Sequence, residues 1–133
     1  LLTELKEALT IQNTMPLSEI PKEDMPENLI LFFEHVQKNH IAYETLLIYQ
    51  TDALLTNGIQ EILKGYVKDG IYISETRPYL LDVNEQLIIA YVAGAYLESM
   101  RWWITTNYAI SPIDMAKTLI ELSINGPYIK RLS

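Results

Sequence analysis

The 133-residue chain contains no cysteine. That absence excludes a disulfide framework, thiolate catalysis and zinc sites of the cysteine type, and it fits a reducing, cytoplasmic setting. Long apolar runs are scarce too. The longest stretch without a charged or polar break, Leu87 to Leu97, is well short of the about 20 residues that cross a bilayer. No charged-then-apolar leader opens the chain, so a soluble protein is expected. Basic residues are few, 10 Lys and Arg against 17 Asp and Glu, for a formal charge of −7. Affinity for a phosphate backbone comes largely from Lys and Arg displacing counterions, so this balance argues against direct nucleic-acid binding. Lys130 and Arg131 are an isolated pair that does not offset it. A glycine-rich phosphate loop, a serine-elbow motif and H-E-x-x-H are all missing, and no convergent polar set points to an enzyme.

What is present is apolar bulk. Residues of that kind make up 49% of the chain, enough for the core of one compact domain of this length. The opening Leu1 falls inside an already helical pattern with neither methionine nor cap, so the chain reads as a piece of something longer.

Helical spacing dominates. Residues 1–12 place Leu2, Leu5, Leu9 and Gln12 on one stripe. Residues 13–26 contain Pro16, Pro21 and Pro26 and read as a linker, because proline has no amide donor and crowds the preceding turn. From Glu27 to about Tyr49, Leu29, Phe33, Val36, His40, Tyr43 and Leu47 recur at steps of three and four. That is a long helix, bent near Asn39. A further helix starts around Leu55 or Asn57, with Leu55, Ile59, Ile62 and Tyr66 on one side and Gly70 as its C-terminal cap. "YISETRPYLL" interrupts the pattern, since Arg77 precedes a proline. Asp82 and Glu85 stand at capping-box spacing before a helix over 83–106 that is apolar nearly all round. Ser111, Pro112 and Asp114 then supply a cap, a proline where no amide is needed, and a carboxylate at the positive end of the dipole. The last helix therefore covers 112–125 and stops at Gly126 and Pro127. The fold class is all-α, an antiparallel helical bundle in a single domain over 1–133.

Few side chains invite chemistry. His35 and His40 are five apart and point away from each other on a helix, so they read as solvated or core histidines rather than metal ligands. Glu23 and Asp24 fall in the linker as a solvated charge run. The aromatics are more informative: Phe32, Phe33, Tyr43, Tyr49, Tyr66, Tyr91, Tyr96, Trp102 and Trp103 are spread over three helices that must pack together. Either they simply fill a core, or several wall a cavity in which tyrosine hydroxyls are fixed polar points for an organic ligand. Glu98 sits inside the most apolar stretch, "AYVAGAYLESMRWWI". A carboxylate there must reach solvent, meet a ligand or pair with Arg101, and the pair is favoured. Ala90, Ala93, Gly94 and Ala95 thin the same helix and let another backbone come close. Met115, Leu119 and Leu122, with Ile113, Ala116, Ile120 and Ile124 on adjoining faces, give the final helix an excess of apolar surface. Two such helices paired with their symmetry mates would form a four-helix bundle.

At this point a family resemblance enters. The stretch Ala90 to Ile104, a short polar break, and "SPIDMAKTLIELS" resemble the end of the regulatory domain of TetR-type transcriptional repressors. The matching positions are Ala93, Gly94, Ala95, Trp103, Ile104, Ser111, Pro112, Asp114, Met115 and Ala116. Upstream, "LFFEHVQKNHIAYETLL" is similar to the same branch, so the resemblance covers most of 27–125. Glu98 and Ser99 depart from it, standing where that pattern has small or aliphatic residues.

The resemblance implies an effector-binding domain without catalysis or cofactor, dimerising through its last two helices. It also implies a separate N-terminal helix-turn-helix that reads DNA, with residues 1–12 as the connecting helix. On that basis the ligand contacts are expected at Phe33, Tyr43, Leu47, Tyr66, Tyr91, Glu98 and Trp102. The dimer interface is expected at Ala90, Gly94, Leu97, Arg101, Met115, Leu119 and Leu122. The partners are a second copy and a small organic effector, with no membrane. The rival readings are a helical homodimeric interaction module without a small ligand and, last, a small helical enzyme using Glu98 or a tyrosine as acid or base.

Overall fold

A computed structural model describes residue 3, residues 24–73 and residues 82–127. Every regular element among them is helical: α1 (Asp24–Lys38), α2 (His40–Tyr43) with a π-helical turn (Glu44–Tyr49), α3 (Ala53–Ile73), α4 (Glu85–Thr105) and α5 (Pro112–Asn125). The all-α expectation holds. The connecting helix expected over 1–12 lies, apart from helical Thr3, outside the described residues, as does the expected linker up to residue 23.

The linker was expected to reach residue 26, but α1 already starts at Asp24. Pro26 is accommodated in the first turn, where backbone amides have no intrahelical acceptor to lose. Leu29, Phe32, Phe33 and Val36 then follow at helical spacing, and all are buried. The expected bend occurs at Asn39, whose φ of −107° and ψ of 35° leave the helical region. Its side-chain amide donates to the His35 carbonyl at 2.9 Å, a local bond that competes with helix continuation. Beyond the break Tyr43 and Leu47 return to the core, whereas His40, expected on the same stripe, is exposed. The chain then widens into the π-helical turn. The Gln50 amide bonds to the Thr45 carbonyl at 2.8 Å, five residues back, and Thr51 turns the chain with φ 48°.

Helix α3 is longer than its sequence pattern. Its start is fixed by Asp52, whose carboxylate accepts from the Leu55 amide at 2.9 Å, a cap the spacing of apolar residues did not point to. Leu55, Ile59, Leu63 and Tyr66 are buried; Ile62, expected among them, is half-buried beside Leu63. Gly70 does not end the helix, which continues to Ile73. A glycine in a helix interior costs only about 1 kcal/mol, less than packing along such a helix returns.

For α4 the cap is Asn84, which accepts from the Gln86 amide at 2.8 Å; the capping box expected from Asp82 and Glu85 is displaced by it. Helix α5 follows the sequence closely. Ser111 accepts from the Asp114 amide at 3.1 Å, Pro112 occupies the first turn, and Gly126 ends the helix with φ 70°. Helix α1 packs on α5, α3 packs on α4, and the π-helical turn touches both α3 and α4. The core forms where these layers meet.

Candidate functional site

The centre of the molecule is aromatic. Phe32 and Phe33 meet edge to face with ring centroids 5.2 Å apart, and Phe33 meets Trp103 in the same way at 5.2 Å. Trp103 in turn meets Tyr108 at 4.8 Å. His35 and Tyr43 form a further edge contact at 5.7 Å across the Asn39 bend. Such geometry favours the positive ring edge over the negative face and fixes the rings in place. The Trp103 indole N–H donates to the Ile110 carbonyl at 2.7 Å, satisfying the one polar atom of a fully buried side chain.

Among the described residues no charged side chain is buried in this core. Its polar points are tyrosine hydroxyls, from Tyr43, Tyr66 and Tyr96. Burial holds the Tyr66 phenol well above its ordinary range, and the neighbouring Tyr96 adds to the effect. Tyr96 is also raised, first by burial, with its bond to Ser123 opposing. Both are therefore neutral phenols that present hydrogen-bonding groups and no charge.

The loop between α4 and α5 is tied to the π-helical turn. Asn107 and Tyr108 both have positive φ, 56° and 58°. For a bulky residue that conformation costs about 1–3 kcal/mol and persists only where surroundings enforce it. Here they do: the Tyr108 amide bonds to the Trp103 carbonyl at 2.8 Å, its ring lies against Trp103, and its hydroxyl donates to the Glu44 carboxylate at 3.1 Å. Burial, then the bond to Glu44, raise the Tyr108 phenol. His40 lies 3.5 Å from the same carboxylate oxygen and faces the Tyr108 ring. Neither Glu44 nor Tyr108 stood out in the sequence, because nothing in residue spacing announces two successive left-handed residues.

Helix α4 has a second apolar face. Its inner side carries Ala93, Tyr96, Leu97, Met100, Trp103 and Ile104, all buried. On the opposite side Leu87 is 62%, Tyr91 77% and Trp102 51% exposed, with Ala95 exposed between them. Gly94 lies beside this strip, and a Cβ added there would meet nothing within 4 Å.

The residues expected to touch a ligand therefore divide. Phe33, Tyr43, Leu47 and Tyr66 converge in the core. Tyr91, Glu98 and Trp102 do not join them, since positions seven and four apart place all three on the outward strip of α4. Glu98 forms the expected pair with Arg101, at 3.4 Å. The residues expected at a dimer interface divide as well. Ala90, Gly94, Arg101 and Leu122 retain exposure, whereas Leu97, Met115 and Leu119 are buried within their own subunit. Apolar spacing marks a helix face but cannot say which apolar face turns inward when both sides qualify. Among the described residues, no group of three or more histidine and acidic side chains is placed to hold a metal, and no helix is long and apolar enough to cross a membrane.

Among the described residues the domain is all-helical, with an aromatic core and two apolar helices at its end. Residues 23–125 match the family described as the transcriptional regulator C-terminal region of the TetR type. The chain belongs to the TetR family of transcription regulators, as a C-terminal regulatory domain. No curated protein and no solved structure matches it.

Proposed function

We propose that this chain is the effector-binding and dimerisation domain of a cytoplasmic TetR-type repressor, acting on operator DNA through a helix-turn-helix domain outside these residues. The observation that carries the reading is the double-sided apolar character of α4, with one face closing an aromatic core and the other open along Leu87, Tyr91 and Trp102. Exposed apolar strips of this length mark interaction surfaces. A second copy of the same strip is the simplest partner that covers it, in an isologous contact. Tyr91 and Trp102 are thereby assigned to the dimer rather than to the ligand.

The effector site is assigned to the core around Phe33, Tyr43, Leu47 and Tyr66, where α1, the π-helical turn and α3 meet α4. An effector acts by binding one arrangement of these helices better than another, and by no more than that difference in affinity. The preferred arrangement moves the connecting helix and resets the separation of two DNA-reading heads. Operator half-sites about 34 Å apart make that separation decisive.

A thermal-shift screen of apolar, aromatic and cationic compounds tests the effector assignment. A ligand that binds only the native state raises Tm with concentration, and Tyr43→Phe is expected to reduce that shift while leaving the fold intact. If no compound raises Tm, the chain is a dimerising module with a filled core.

A further inference from the structure

The outward strip of α4 is nearly symmetric about its middle. At 3.6 residues per turn, Leu87, Tyr91, Glu98 and Trp102 share an arc of about 60°, and all four are exposed. Gly94 and Ala95 stand at the centre of that run. Measured from the peptide bond between them, Tyr91 and Glu98 lie equally far to either side, about 5 Å along the axis, and Leu87 and Trp102 about 11 Å. The strip therefore has small residues in the middle, a hydrogen-bond donor on one flank opposite an acceptor on the other, and apolar bulk beyond both. The direction of any bond between those flanks is fixed, because a carboxylate accepts and a phenol hydroxyl donates to it. Glu98 already accepts from Arg101 through Oε2 at 3.4 Å, and among the described residues its other oxygen has no partner.

A strip that pairs with its own copy about a two-fold axis has two orientations. In the parallel one every position meets itself, so Glu98 faces Glu98 of the partner subunit, two like charges in an apolar contact with no donor between them. In the antiparallel one the flanks exchange. We infer that a second copy docks on this strip antiparallel, with the two-fold axis between Gly94 and Ala95 and the Tyr91 hydroxyl of each subunit donating to the partner's Glu98. The inference rests on the dimerisation reading above and fixes the orientation and register of that contact. Gly94 and Ala95 let the two helix backbones come close at the axis, and Leu87 comes to lie over the partner's Trp102. Glu98, the one carboxylate inside the most apolar stretch of the chain, then acts as a register key, as a lone buried polar residue does in a coiled coil.

Sedimentation equilibrium of the 133-residue chain and three variants tests the hydrogen bond. Tyr91→Phe removes two donors per dimer and leaves two carboxylates covered without one, so the dimer Kd should rise about tenfold to a hundredfold. Glu98→Ala should weaken the dimer when made alone and strengthen it in the Tyr91→Phe background. The double variant should return to within about threefold of the unmodified chain, because removing both partners of a buried bond is nearly neutral. Since the chain has no cysteine, single cysteines under oxidising conditions read the orientation. Ala95→Cys lies beside the axis and should yield a disulfide-linked dimer. Leu87→Cys should not, because antiparallel pairing holds its two copies about 22 Å apart, beyond the roughly 7 Å between Cα atoms that a disulfide spans.

Additive losses in the double variant would overturn the inference, and so would a linked dimer from Leu87→Cys or none from Ala95→Cys. If the unmodified chain is still a dimer in those cases, the dimerisation reading stands and only this arrangement is wrong. A monomer throughout the micromolar range removes the reading and the inference together.

Discussion

The two sides of α4 both carry large apolar residues, the outer one interrupted by Glu98, and they are opposite in fate. Trp103 is fully buried and Trp102, its neighbour in sequence, is 51% exposed. Both sides would be drawn as hydrophobic on a helical wheel, yet one is covered by α3 and the core while the other faces solvent in the single subunit. The difference teaches that the inner side pays into folding and the outer side is available for association. Substitutions on the two sides should consequently separate stability from self-association.

The largest effect is expected at Trp103. Trp103→Ala removes a buried indole, its hydrogen bond to Ile110 and its contacts with Phe33 and Tyr108. A loss of about 3–5 kcal/mol in urea unfolding is expected, against a change within about 0.5 kcal/mol in subunit folding for Trp102→Ala. Equal losses at the two tryptophans would erase the distinction between the faces.

A smaller effect is expected at Ser111. Ser111→Ala removes the cap on Asp114 and should cost about 1 kcal/mol in the same unfolding measurement. This sharpens the comparison from the other side, because Ser111 supports α5 without belonging to either face of α4.

Gly94 gives the most discriminating of the small effects. No atom within 4 Å opposes a Cβ there, so Gly94→Ala should leave the subunit unstrained and stabilise α4 by up to about 1 kcal/mol. If a partner helix passes close to Gly94, the same methyl weakens the dimer. Opposite signs in thermal unfolding of the dilute subunit and in the sedimentation-derived Kd would place a partner on this side.

Much of the fold was legible in the residues themselves. The bend at Asn39 and both ends of α5 followed from local chemistry, since a side chain competing for backbone groups, a serine cap, an N-terminal proline and a C-terminal glycine act within a turn of where they stand. The start of α3 at Asp52 and its passage through Gly70 were less legible, because one polar residue and one glycine were outweighed by packing along the helix. The candidate site was the least legible part. Phe33, Tyr43, Leu47 and Tyr66 were identified by their spacing and do gather in the core. Tyr91 and Trp102 were grouped with them because α4 is apolar nearly all round, and Glu98 because a carboxylate within that stretch needs a partner. The contacts Tyr96 with Ser123 and Glu44 with Tyr108 join residues 27 and 64 positions apart. No periodicity within one element carries that information.

Sedimentation equilibrium of the unmodified chain and of Tyr91→Glu, both at micromolar concentration, tests the central claim about α4 most directly. Tyr91 is 77% exposed, so the charge should leave the subunit folded, as circular dichroism would check. The account predicts a dimer mass for the unmodified chain and a monomer mass for the variant. A monomer in both, or a dimer undisturbed by the carboxylate, would contradict it.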